Sequence, residues 1–250
     1  MGFIKYEIKD RIGYITLNRP EKMNAINHEM LVDLIKALED IRTNPDVWVG
    51  IITGTGKAFS AGHDLSESPT AGQGPKVYDL YDLLNRIYKP MLSAINGICL
   101  AQGCGIALST DIQIASEEAK FGWPQVKRGI SSVSGPTILG RKVPLNKAFE
   151  YLFTGRFITA QEALALNLVN KVVPPSEVMS ATEEMAREIL ENAPLAVRAM
   201  KEATMMTRFM RADEAYNVTT LILDKIMETE DAKEGLLAFQ EKRKPVWKAR

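Results

Sequence analysis

Two segments of the chain share a plan that suits chemistry at a carbonyl group. In the first, the apolar run Val49–Thr53 leads through Gly54 and Gly56 into Phe59-Ser60-Ala61-Gly62-His63-Asp64-Leu65. In the second, Met91–Ile95 leads through Gly97 into Ala101-Gln102-Gly103-Cys104-Gly105. In α/β sheets ligands bind beyond the carboxyl ends of the strands, and small residues there let the backbone come close to them. The second segment also opens a helix, whose first N–H groups lack partners and carry the positive end of the dipole. One backbone N–H from each loop could meet on a carbonyl oxygen and stabilise negative charge as it develops there. Losing one donor of such a pair typically costs about 10² to 10³ in rate. On composition alone, tight turns without chemistry account for the same residues.

The elements that must hold these loops follow from the hydrophobic pattern. Residues 3–8 and 12–17 are β-rich runs with Asp10, Arg11 and Gly13 at their turn, which predicts a hairpin. Asn27 is placed to cap a helix from His28 to about Arg42, with Met30, Leu31, Leu34, Ile35, Leu38 and Ile41 on one face. Trp48–Thr53, Met91–Ile95, Ile112–Ala115 and Lys171–Val173 read as further strands. Helices are expected over about 78–88, 101–109 and within 134–168, with a helical pattern from 176 to 240. The Pro, Gly and Ser of 66–76 read as a mobile loop. Alternating strands and helices imply an α/β fold with parallel pairing, followed by an added helical layer. No internal repeat is visible.

Other motifs fail on inspection. Gly54-Thr55-Gly56-Lys57 lacks the first glycine and the final Ser/Thr of a phosphate loop, since Ile51 and Ala58 stand there. Gly103-Cys104-Gly105 lacks the third glycine of a dinucleotide fingerprint. No nucleophile elbow surrounds Ser131, Ser132 or Ser134. His28-Glu29 lacks the second histidine of a zincin, and His28 reads as a surface residue. The methionines at 200, 205, 206 and 210 read as helix packing.

Composition narrows the class. The chain has 250 residues, with 31 Lys+Arg against 31 Asp+Glu and so no net charge, which speaks against a nucleic-acid partner. Cys99 and Cys104 make neither a disulfide framework nor a common zinc pattern, and no metal site is expected. No apolar run nears the roughly 20 residues of a membrane span, and no signal peptide is seen. A cytoplasmic protein is the expectation.

The ordered set of motifs resembles the crotonase superfamily, the enoyl-CoA hydratase/isomerase family. The resemblance is carried by Phe59 to Leu65, Ala94-Ile95-Asn96-Gly97, Gly103, Asp111-Ile112, and Phe121 with Pro124 and Gly129. It extends to Leu17-Asn18-Arg19-Pro20 with Asn24-Ala25, Phe153-Thr154-Gly155 with Ala160 and Ala163, and Glu234-Gly235 through Pro245. It implies a crotonase-like spiral of ββα turns over residues 1–190 that binds acyl-CoA. It implies a C-terminal helical region, 191–250, for oligomerisation and closure over CoA. A homotrimer or dimer of trimers follows, with no cofactor beyond the coenzyme A moiety of the substrate. The backbone N–H groups of His63 and Gln102 would form the oxyanion hole. Lys22, Ala25, Ala61, Asp64 and Leu65 would lie along the CoA, and Phe239 and Lys242 would meet its adenine and phosphate end.

The same resemblance exposes a departure. Family hydratases use two glutamates to position water and move a proton, and those positions hold Gly105 and Gln125 here. Gly105 carries no proton and Gln125 only hydrogen-bonds. One reading moves the acid–base work elsewhere, first to His63, because imidazole titrates near neutral pH. Glu67, Asp64, Ser131, Ser132 and Tyr78 are weaker candidates, and Asp64 is better placed to stabilise its turn. A second reading is decarboxylation of a malonyl-type thioester, which needs no base. Glu67, Pro69 and Gly72 after Leu65 resemble the methylmalonyl-CoA decarboxylase branch, although the tyrosine of that branch would fall near Ser132. A third is acyl-CoA binding with little catalysis, as in the enoyl-CoA hydratase domain-containing 3 group, which the lost acids and the Lys242–Trp247 ending also resemble.

Overall fold

The computed structural model describes residues 2–67 and 74–250. The chain opens with a hairpin, β1 (Ile4–Lys9) and β2 (Ile12–Leu17), paired antiparallel. Asp10 and Arg11 form its two-residue turn, both at positive φ (51° and 67°), the geometry that matches strand twist. Gly13 lies in β2 and not in the turn expected of it. A Cβ there would sit 3.0 Å from Ile41 Cγ1 and 3.2 Å from Val47 Cγ1, so the glycine serves helix-to-sheet packing. Helix α1 (His28–Thr43) starts as expected, with Asn27 Oδ1 accepting from the Met30 amide at 3.0 Å.

The next elements come in a repeated order. A strand of a large sheet is followed by a very short strand of a small sheet and then by helix or loop. These are β3 (Val49–Gly54), β4 (Ala58–Ser60) and α2 (Val77–Arg86); β5 (Met91–Ile95), β6 (Ile98–Leu100) and α3 (Gln102–Ser109); then β7 (Ile112–Ser116) and β8 (Lys120–Gly122). There follow a π-helical turn (Gly135–Leu139), α4 (Gly140–Lys142), α5 (Leu145–Thr154), β9 (Ile158–Thr159), α6 (Ala160–Ala165) and β10 (Lys171–Val173). The large sheet has the order β1-β2-β3-β5-β7-β10 and the small one β4-β6-β8-β9. All pairs are parallel except β1/β2 and β8/β9. This is the expected α/β spiral with parallel strands and C-terminal helices. Its repeat lies in the backbone path and not in the residues, so the sequence shows none.

Helices α7 (Val178–Leu190), α8 (Pro194–Thr207), α9 (Ala212–Met227) and α10 (Glu230–Glu241) complete the chain. Val178, Ala181 and Ala186 of α7 pack on one face of the large sheet against Val49, Ile51, Leu92 and Ile114. The other face meets α1, α2 and α3 through Ile15, Ile52, Leu34, Leu84 and Ile106. Burial on both faces explains why the central strands read as unbroken apolar runs. The four strands of the small sheet were not anticipated. At two or three residues each, they are too short to show alternation. Of the 66–76 loop, residues 68–73 lie outside those described, Pro69 and Gly72 among them.

Candidate active site at the two loop exits

The loop after β4 is fixed by side chains that leave one amide free. Asn24, fully buried at φ 53°, accepts from the Arg19 amide (2.8 Å) and donates to the carbonyls of Thr55 (3.0 Å) and Ala58 (2.7 Å). Ser60 Oγ donates to the Asn24 carbonyl (2.8 Å) and accepts from the Gly62 amide (3.1 Å). The Ala61 amide donates to the Met23 carbonyl (2.9 Å) and the Asp64 amide to that of Ile26 (3.0 Å), while the Gly62 carbonyl accepts from the Ile26 amide (2.7 Å). The amides of residues 61, 62 and 64 are thus engaged. That of His63 makes no hydrogen bond among the described residues.

The second loop turns at Ala101, a non-glycine residue at φ 52° and ψ −112°. Its amide donates to the Gly122 carbonyl (2.8 Å). Its carbonyl accepts from the Gly105 amide (3.1 Å) and from Ser134 Oγ (3.1 Å), which in turn accepts from Trp123 Nε1 (2.9 Å). Backbone held in so sparsely populated a region typically marks a functional turn and costs about 1–3 kcal/mol. The turn makes Gln102 the first residue of α3, and its amide has no partner among the described residues. The loops touch at Gly62, at φ 96°, where a Cβ would lie 2.8 Å from Ala101 Cβ and 3.2 Å from the Gln102 nitrogen. Gly103 likewise packs on β4, where a Cβ would sit 2.9 Å from Ser60 Cβ. His63 and Gln102 line one cavity of about 420 Å³. Two free main-chain donors on one cavity wall suit an oxygen that gains negative charge.

The cavity is otherwise lined by Ile26, Leu31, His28, Leu65, Glu67, Tyr81, Gln125 and Ser131 to Ser134, among others. An adjoining cavity of about 300 Å³ shares Gln125, Ile130, Ser131 and Ser132. Glu67 Oε2 accepts from the His28 amide at 2.8 Å, at the positive end of α1, and Ser132 Oγ accepts from the Gly135 amide at 3.1 Å. Gln125 has its Oε1 buried without a partner among the described residues. Asp64 behaves as its turn requires. Its Oδ1 accepts from the Ser66 amide (2.9 Å) and hydroxyl (2.6 Å), and Oδ2 pairs with Arg19 at 2.5 Å. The Ser66 hydrogen bonds first, and Arg19 after them, hold this carboxyl well below the usual carboxylate range.

A model of the enoyl-CoA hydratase/isomerase family matches residues 7–250. The chain belongs to this family. It is 38% identical over 249 residues to the short-chain-enoyl-CoA hydratase of Clostridium acetobutylicum, covering 95% of this chain and 94% of that one. It is 36% identical over 252 residues to the (E)-benzylidenesuccinyl-CoA hydratase of Thauera aromatica, covering 98% of each. The structure of an enoyl-CoA hydratase from Mycobacterium tuberculosis superposes with a TM-score of 0.92 at 32% identity and full coverage of both chains. The resemblance read from the motifs, and the fold it implied, are those of this hydratase/isomerase family.

The other residues singled out in the sequence of this family member take the following places. His28 is not a plain surface residue: it is half-buried and lines the cavity. Tyr78 is 53% exposed and does not line that cavity, whereas Tyr81, one turn further along α2, does. Lys22 ends an exposed 3₁₀ turn, Pro20–Lys22. The Ala25 carbonyl accepts from Arg19 Nη1 (3.1 Å). Ala61 is half-buried, and Leu65 lines the cavity while 62% exposed. Phe239, 85% exposed, and Lys242, the left-handed cap of α10, are not among the residues lining it. Two contributors were missed: Tyr81, and Ser134 as the support of the Ala101 turn. In sequence Tyr81 is one apolar-face residue among Leu80, Leu83 and Leu84, and nothing local distinguishes it.

Proposed function

We propose that this chain acts on an acyl-CoA thioester, holding the thioester oxygen on the His63 and Gln102 amides while an enolate forms. The single observation that carries this reading is the pair of unpartnered amides on loops in contact, both lining one cavity. The usual hydration acids are replaced by Gly105 and Gln125, so the reaction is a lyase or isomerase step that does not run through two glutamates. No cofactor beyond the substrate's own coenzyme A is required. Lys22, Ala25, Ala61, Asp64, Leu65, Phe239 and Lys242 serve the CoA moiety in the same reading.

One observation favours decarboxylation of a malonyl-type thioester as the second reading. Among the described lining residues Glu67 is the one carboxylate, and it is committed to the start of α1. Loss of CO2 generates the enolate without any base. Incubation with crotonyl-CoA and with methylmalonyl-CoA, followed by mass spectrometry, separates water addition from CO2 loss. A rise in melting temperature with CoA esters but no turnover would leave binding alone. No thermal shift with any acyl-CoA would overturn the ligand class.

The assembly in this reading is a homotrimer or dimer of trimers. Met200 and Phe209 on and after α8, and Tyr216 and Leu221 on α9, are each more than 60% exposed, an apolar surface that an assembly would cover. Sedimentation giving a monomer mass would contradict it.

A further inference from the structure

The two amides that face the cavity belong to peptide units whose other ends are also held. A trans peptide is planar, so its C=O and N–H point in opposite directions. Whatever grips the carbonyl of residue 62 therefore aims the N–H of His63, and whatever grips the carbonyl of residue 101 aims that of Gln102. The Gly62 carbonyl accepts from the Ile26 amide at 2.7 Å. The Ala101 carbonyl accepts from the Gly105 amide at 3.1 Å and from Ser134 Oγ at 3.1 Å. One donor peptide is backed by main chain, the other by a side chain as well.

The direction of the Ser134 bond is fixed by its neighbour. An indole N–H only donates, so Trp123 Nε1, at 2.9 Å, makes Ser134 Oγ an acceptor on that side. The one hydroxyl proton of Ser134 then serves the Ala101 carbonyl. The donors run in a single sense, from the Trp123 N–H through the Ser134 O–H to the Ala101 carbonyl, and out of the same peptide through the Gln102 N–H. Hydrogen bonds in such a chain strengthen one another by about 10–30% per bond, and more so away from water. Trp123 and Ser134 are each 2% exposed. Tyr81 of α2, also buried, packs its phenol on Gly105, where a Cβ would lie 2.5 Å from its Cζ. An aromatic ring and not water thus lies against α3 at that point. Ala101 itself sits at φ 52° and ψ −112°, a sparsely populated region that persists only where surrounding bonds over-determine it. The Ser134 bond is one of those restraints.

We infer that Trp123 and Ser134 are positioning residues of the oxyanion hole, whose hydrogen-bond chain fixes the direction of the Gln102 amide and strengthens it as a donor to the thioester oxygen. Both act through the Ala101–Gln102 peptide. The inference rests on the acyl-CoA reading above and deepens it.

The test is the C=O stretch of butyryl-CoA carrying 13C at the carbonyl carbon, read by difference infrared spectroscopy at saturating ligand. It is applied to the wild type, Ser134→Ala, Ser134→Thr and Trp123→Phe, beside denaturant unfolding of each. Binding to the wild type should lower the stretch from its solution value. Ser134→Ala should lose about 10–30% of that displacement or more, and Ser134→Thr, which keeps the hydroxyl, should regain it. Trp123→Phe leaves the Ser134–Ala101 bond in place and should lose a smaller part. A packing defect alone lowers stability without moving the frequency of bound ligand. A Ser134→Ala protein that is less stable yet shows the full wild-type displacement would therefore overturn the inference, as would a loss that Ser134→Thr does not restore. If Ser134→Ala does not fold, Trp123→Phe decides: a reduced displacement supports the chain and an unchanged one overturns it. Failure of the underlying reading looks different. The wild type then binds no butyryl-CoA, or binds it with the stretch at its solution value, and this inference falls with it.

Discussion

Replacing Gly62 by alanine places one methyl group in the seam between the two loops. The residue sits at φ 96°, where a Cβ is disfavoured by about 1–2 kcal/mol. The new methyl would lie 2.8 Å from Ala101 Cβ, 2.9 Å from the Leu100 carbonyl oxygen and 3.2 Å from the Gln102 nitrogen. Ordinary carbon–carbon contact begins near 3.5 Å, so the loops must part by about 0.7 Å. Overpacking of this kind typically costs a further 1–3 kcal/mol, giving a total loss of about 2–5 kcal/mol in denaturant unfolding. The same displacement carries one amide from a bonding distance of about 2.9 Å to about 3.6 Å, where the bond is lost. Affinity for butyryl-CoA should fall at least about tenfold, and any turnover by about 10² to 10³. Gly140→Ala is the control. Its φ is −61° and a Cβ there meets nothing within 4 Å, so stability and binding should stay at wild-type values. A Gly62→Ala protein with wild-type stability and affinity would refute the argument that contact between the loops sets the amides.

Three other outcomes follow from the same geometry. Asp64→Asn should cost about 1–3 kcal/mol at neutral pH, because it weakens the Arg19 pair and the Ser66 bonds. The folded-state pKa of Asp64 is depressed, so its stabilisation is complete above its unfolded value near 3.9. It is lost as pH falls below that value, and the gap between the Asp64→Asn and wild-type unfolding curves should narrow there. Asn24→Ala strips the Thr55 carbonyl and the Arg19 amide of their partner and leaves the Ala58 carbonyl only the Asn96 Nδ2–H at 3.2 Å. It should destabilise by about 1–3 kcal/mol per group left buried and unpaired, read by chemical unfolding. His63→Ala keeps the backbone donor and removes only the imidazole. Retained acyl-CoA affinity with lost turnover would assign the ring a chemical role, and unchanged turnover would leave His63 its amide alone.

The contrast between what could and could not be read from the chain has a physical basis. Long buried strands such as Met91–Ile95 and the capped helix after Asn27 are written in local periodicity. The two glycine-rich exits announce themselves because close approach of backbones demands small residues. The strand Ala58–Ser60 is hidden because three residues carry no period. Asn24 is hidden because its three bonds reach 5, 31 and 34 residues along the chain. Tyr81 is hidden because its neighbour across the site, Gly105, is recognised only by what it lacks. Gly105 and Gln125 read alone suggest a site stripped of side-chain chemistry. Folding brings a phenol from α2 to the empty position.

In the proposed function the His63 and Gln102 amides polarise a thioester carbonyl. Difference infrared spectroscopy of butyryl-CoA carrying 13C at the carbonyl carbon reads this directly. The labelled C=O stretch should move to lower frequency on binding to the wild type, and should return toward its solution value in Gly62→Ala saturated with ligand. Butyryl-CoA that binds the wild type with its carbonyl stretch at the solution value would contradict the account.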